Sequence, residues 1–174
     1  MFDRYQILPV NLTSADHDAI RAIAEKRQKS KAKVRDQKID ANQSALELNI
    51  LGAIGEFAFG TLIGQKPHVH RGRKGDGGID FLYNGWSIDV KYIPTGGVLV
   101  FRSLPHFRSD VAVAVSGPRG DLTPVTVRVL GCIGRERFRT LHRPHHFQYG
   151  DFVALDTEKM SPCWKMDEIA GPRL

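Results

Sequence analysis

Cysteine is scarce in this 174-residue chain: Cys132 and Cys163 stand far apart, and neither has a second cysteine in a CxxC arrangement. That excludes a cysteine zinc knuckle and a dithiol redox motif, and leaves both as buried or incidental thiols. No apolar run approaches the ~20 residues that cross a bilayer. The opening Met1-Phe2-Asp3-Arg4 lacks a charged-then-apolar leader. A cytoplasmic protein without a membrane partner is the expectation. Internal repeats, low-complexity tracts and an interdomain linker are also missing, so residues 1–174 are expected to form one domain. Histidines gather at His68/His70 and at His142/His145/His146. No HExxH-like helix accompanies them, so a zinc enzyme is the weaker reading.

With 41% hydrophobic and 25% charged residues, the composition suits one sizeable globular core. The formal net charge of +6 is moderate, but it is concentrated. Between Arg21 and Lys38 lie Lys26, Arg27, Lys29, Lys31, Lys33 and Arg35, against only Glu25 and Asp36. Arg71, Arg73 and Lys74 sit in a glycine-rich stretch, and Arg135, Arg137, Arg139 and Arg143 form a later basic region. Such clusters fit a phosphate backbone; a solvated surface is the plain alternative.

Residues 14–38 read as a basic N-terminal helix, clearest from Ser14 to about Val34, with a cap at Thr13 or Ser14. A second helix is predicted from about Gln43 to Ile63, where Leu46, Ile50, Leu51, Ile54, Phe57, Ala58 and Leu62 recur at helical spacing. A basic loop from Gln65 to Gly78 leads into strands over 79–83, 86–93, 98–101, 111–116 and 126–133, with a short one near 152–155. Residues 134–139 are expected to make a short helical turn, and 141–150 a Pro/His-rich loop. Helices followed by consecutive strands predict an α+β fold with a mixed sheet.

The most informative stretch runs from Gly78 to Tyr92. Two strand-like runs flank Asn84-Gly85, a strong two-residue type I′ turn signal that sets the pairing register. Pairing Tyr83 with Trp86 puts Asp80 opposite Asp89, with Lys91 on the same face and the apolar residues on the other. Like charges held roughly 5 Å apart destabilise a sheet unless something compensates them. A hard divalent cation would do so; surface salt bridges are the bland alternative. A third carboxylate, Glu56, lies in an apolar helix and shares its face with Gly52, Gly55 and Gly60. Clustered glycines imply close approach to another layer, which would aim Glu56 at the sheet; a helix-surface residue paired with a nearby base is the structural alternative.

An acid, eight intervening residues and then Asp89-Val90-Lys91 resemble the PD-(D/E)xK nuclease superfamily, with its restriction-endonuclease-like core of a mixed sheet flanked by helices. Gly52-Ala-Ile-Gly-Glu56 looks like the helix-borne acid common upstream in that superfamily, and Gly-Ile-Asp80 stands where its nominal Pro-Asp would be. The resemblance implies an α-β-β-β-α-β core over about 44–133. Its second helix is hard to find between Val98 and Val111.

It also implies an Mg²⁺-dependent deoxyribonuclease, with Mn²⁺ as a substitute, of the kind found among small bacterial and phage enzymes of DNA processing, repair, recombination or restriction. An endonuclease is the first expectation. Asp80 and Asp89 would bind the metal with the Val90 carbonyl and Glu56, and Lys91 would act beside them on the phosphodiester. The basic residues from Lys26 to Arg35 and from Arg71 to Lys74 would grip DNA. A phage-encoded version would act inside the host cell. Monomer and homodimer are both compatible with the sequence, as is a catalytically inactive DNA-binding protein that keeps the fold.

Overall fold

The computed structural model describes residues 8–31, 44–67, 78–94, 97–118, 126–147 and 150–163. Strand β1 (Leu8–Asn11) leads into helix α1 (Ser14–Lys31). Helix α2 (Ala45–Ile63) begins at Ser44, whose side chain accepts the Glu47 N–H, and ends at Gly64, whose φ of 68° suits a residue without Cβ. Then come β2 (Phe81–Tyr83), β3 (Trp86–Tyr92), β4 (Val98–Phe101), β5 (Val111–Ser116) and β6 (Thr126–Gly134). Helix α3 (Arg135–Leu141), β7 (Arg143–Phe147) and β8 (Gly150–Asp156) follow.

Five strands form one sheet in the order β1-β6-β5-β3-β2, and three form a second in the order β4-β8-β7. Among these pairings β3 with β5 is parallel, with Ile88 beside Val111 and Tyr92 beside Val115; the others are antiparallel. The fold is thus α+β with a mixed sheet flanked by helices. Strand β5 shows why both faces are covered. Val111, Val113 and Val115 pack toward the helices with Ile20, Ile54, Phe59 and Ile88. Ala112 and Ala114 pack the other way, among Leu99, Phe101, Phe107, Phe138 and Leu155.

By length and composition α2 could cross a bilayer. Here the same composition serves burial between α1 and the first sheet, where Ile54, Ala58 and Phe59 are at most 3% exposed.

Parallel strands need a crossover of a dozen or more residues. Between β3 and β5 that length holds β4, which leaves for the second sheet, and a single 3-10 turn at Leu104–His106. The turn stands where the resemblance implies a second core helix. Pro105 lacks an N–H donor, and Phe107 is drawn into the interior, stacked on Phe101 with centroids 4.5 Å apart.

Other expectations change as well. The stretch expected as a loop over 141–150 contains β7, an edge strand on which Pro144 is tolerated. Strand β1, not foreseen, pairs with β6 from Leu8↔Val129 to Asn11↔Thr126. The continuation of α1 toward Lys38 lies outside the described residues. The two cysteines meet: backbone bonds between Cys132 and Ser161 bring the buried Cys163 within hydrogen-bonding reach of Cys132. That bond and burial push the Cys163 thiol well above its ordinary pKa.

The α1 cap is reciprocal. The Asp16 carboxylate accepts the Thr13 N–H at 2.8 Å and its hydroxyl at 2.7 Å, while the Asp16 N–H reaches Thr13 Oγ1 at 3.3 Å. The Thr13 bonds hold the Asp16 carboxyl below its usual range. A depressed folded-state pKa contributes stability above the unfolded value and loses it as pH falls through the folded one. Asp16→Ala is therefore expected to cost roughly 0.5–1 kcal/mol near neutral pH. In thermal melts the gap to wild type should shrink below about pH 4; a gap that persists in acid would contradict this role.

Candidate functional site

The hairpin forms as its turn demands. Asn84 and Gly85 adopt φ of 49° and 80°, and the register runs Tyr83↔Trp86, Leu82↔Ser87, Phe81↔Ile88. The regular ladder ends there, one residue short of Asp80. In a continued ladder the Asp80 N–H would point away from β3; instead it donates to the Ile88 carbonyl at 2.7 Å. Its side chain bends along the strand edge, and Oδ2 accepts the Val90 N–H at 2.7 Å. Asp80 therefore approaches Asp89-Val90 from the edge of β3 and does not stand squarely across from Asp89. The Val90 carbonyl leaves the strand on the same side as its N–H, so it faces this edge too.

Asp89 points to the opposite face from Val90 and is 2% exposed. Its Oδ1 accepts Lys91 Nζ at 2.8 Å. The Lys91 ammonium also lies 5.6 Å from the centroid of the Phe101 ring, and its side chain remains 40% exposed. The hairpin thus gathers Asp80, Asp89, Val90 and Lys91 at one end of β3, two carboxylates buried and one ammonium reaching solvent.

Glu56 has another immediate partner. Helix α2 does approach the sheet closely: a Cβ on Gly55 would meet Val90 Cγ1 at 3.4 Å. That contact is with the Val90 and Tyr92 face, opposite to Asp89 and Lys91. The Glu56 carboxylate, 4% exposed, takes both terminal nitrogens of Arg27 at 2.9 and 2.6 Å. Arg27 is itself 5% exposed, which corrects its assignment as a DNA contact: it is an interior residue that joins α1 to α2. Gly60 also marks a tight approach, since a Cβ there would come within 2.5 Å of the Gln65 carbonyl oxygen. Gly60→Ala is expected to cost about 1–3 kcal/mol in a denaturant titration; an unchanged midpoint would show that the α2 terminus yields freely.

Of the remaining basic residues, Lys26 and Lys29 are exposed on α1, and Lys31 is its last residue. Lys33, Arg35, Arg71, Arg73 and Lys74 lie outside the described residues. A polar cluster that the sequence did not signal sits beside the hairpin. The Ser87 N–H and hydroxyl donate to Asp110 Oδ2 at 3.0 and 2.7 Å, and Arg135 Nη2 lies 3.9 Å from Asp110 Oδ1. Alternation put Ser87 on the face of Asp89, but the parallel β3–β5 pairing that brings in Asp110 had no local signature.

Among the described residues no three His, Cys, Asp or Glu side chains converge as a metal-binding group. Among those residues a site that needs three or four protein side chains, as zinc does, does not fit. Mg²⁺ does, because it takes one or two carboxylates and fills its other positions with water and phosphate oxygen. Comparison with protein-family models, with curated proteins and with solved structures finds no match to this chain, so the functional assignment rests on its own residues and geometry.

Proposed function

We propose that the chain is a metal-dependent nuclease that hydrolyses phosphodiester bonds of DNA at the Asp80/Asp89/Lys91 end of β3. The observation that carries this reading is the convergence of two buried carboxylates on the Asp89-Val90 segment beside a partly exposed lysine. Carboxylates are costly to bury, and each oxygen can accept more than one donor. Asp80 and Asp89, with the Val90 carbonyl, would hold Mg²⁺ or Mn²⁺. The bound cation would supply Lewis acidity and an activated water. Lys91 orients the attacking water or stabilises charge on the phosphate oxygens, and its exposed tip gives it the reach to do so. Asp80, tied to the Val90 N–H at 2.7 Å, keeps its carboxylate at the Asp89-Val90 segment before substrate arrives. This arrangement resembles the acid and acid-x-Lys pattern of PD-(D/E)xK nucleases, an endonuclease being the first reading.

The Arg27–Glu56 pair favours a second reading, a DNA-binding protein without catalytic activity, because it engages the third acid away from the hairpin. A panel of labelled linear duplex, single strand, flap, four-way junction and RNA, incubated with Mg²⁺ and with EDTA, separates the two. Cleavage of a DNA member with Mg²⁺ and none with EDTA is expected. Retention of DNA in a gel shift without cleavage of any member would leave the binding reading in its place.

A further inference from the structure

We infer that the segment from Phe101 to Asp110, with Arg135 beneath it, is a contact surface for the sugar-phosphate backbone of nucleic acid; its purpose, though not its binding test, rests on the nuclease reading. Helices α1 and α2 cover the Val90 face of the first sheet. The basic residues of α1 therefore lie on the side away from Asp89 and Lys91. The Asp89 face carries a different set of cations. Phe101, whose ring lies under Lys91, stacks on Phe107 with an interplanar angle of 2°. Arg102 and Arg108 follow these two rings directly, and both are exposed. The anchored rings fix where the backbone emerges, and so the points from which the Arg102 and Arg108 side chains leave the surface.

Arg135 braces the far end of the segment. Its Nη1 donates to the Arg108 carbonyl at 2.9 Å, and its own N–H donates to the Asp110 carbonyl at 2.9 Å. Asp110 in turn is held by Ser87, two residues from Asp89 on the same face of β3. Lys91 and the elements that carry Arg102, Arg108 and Arg135 thus lie on the Asp89 face of β3, and the acid of the segment, Asp110, is already engaged. A polyanionic backbone complements this arrangement, and its phosphates would run past Lys91.

The test is equilibrium binding of a fluorescent duplex in EDTA across a salt series, with wild type, R102Q/R108Q, R102K/R108K and K26Q/K29Q. Each lost phosphate contact lowers the slope of log K against log salt by about 0.9, so R102Q/R108Q should lower it by about 1.8 and weaken binding at least tenfold at low salt. The lysine variant, which keeps the charge, should retain most of the slope, and wild-type melting temperatures would show that the loop is intact. An unchanged slope in R102Q/R108Q, with the loss appearing in K26Q/K29Q, overturns the inference. A wild-type protein that binds through Arg102 and Arg108 yet never cleaves with Mg²⁺ supports this surface and overturns the nuclease reading.

Discussion

Asp89→Asn is expected to reduce Mg²⁺-dependent DNA cleavage by roughly 10³-fold, the scale of loss when a key electrostatic group is removed from a reacting centre. The substitution keeps size and an acceptor oxygen for Lys91 Nζ, which lies 2.8 Å from the native carboxylate. Folding should therefore change little, and a melt within a few degrees of wild type would show it. The variant should also lose metal-linked stabilisation. A ligand that binds only the folded protein raises stability by about 2.7 kcal/mol at a hundred times its Kd. Wild-type melts should accordingly rise on titration with Mg²⁺ while those of Asp89→Asn stay level. Cleavage by the variant at the wild-type rate would remove Asp89 from the site and the proposal with it.

Arg27→Met should be the most destabilising single change, at about 3–5 kcal/mol, because it removes the bidentate guanidinium from a buried carboxylate. In a domain of this size that corresponds to a fall in melting temperature on the order of 10 °C. Replacing both partners, as in R27M/E56L, removes the charge along with its partner and should recover most of the loss. The double variant also decides what Glu56 does. Near-wild-type cleavage by a refolded R27M/E56L protein would make the pair a structural joint between α1 and α2. Recovered stability with cleavage still lost would place Glu56 in the chemistry, despite its bidentate contact with Arg27.

The hairpin was legible because its information is local. Asn84 and Gly85 are residue types that accept positive φ at both central turn positions, and a two-residue turn leaves one register for Phe81, Leu82 and Tyr83 against Trp86, Ser87 and Ile88. Helix α2 was legible for a similar reason, its apolar repeat being a property of adjacent turns. The limit shows one residue beyond the ladder. Asp80 departs from the regular pairing because its carboxylate finds the Val90 N–H, a choice made by hydrogen bonding and not by alternation.

By itself, then, the sequence determined the α+β class, the buried helix, and the presence of Asp80, Asp89 and Lys91 on one hairpin. Tertiary structure alone decided that Arg27 lies inside against Glu56, 29 residues away, that β4 leaves for a second sheet, and that Ser87, Asp110 and Arg135 cluster beside Asp89. Turn type and amphipathic period are set by neighbouring dihedrals and side chains. Which distant charge fills a buried space, and which edge a strand joins, depends on how whole elements pack.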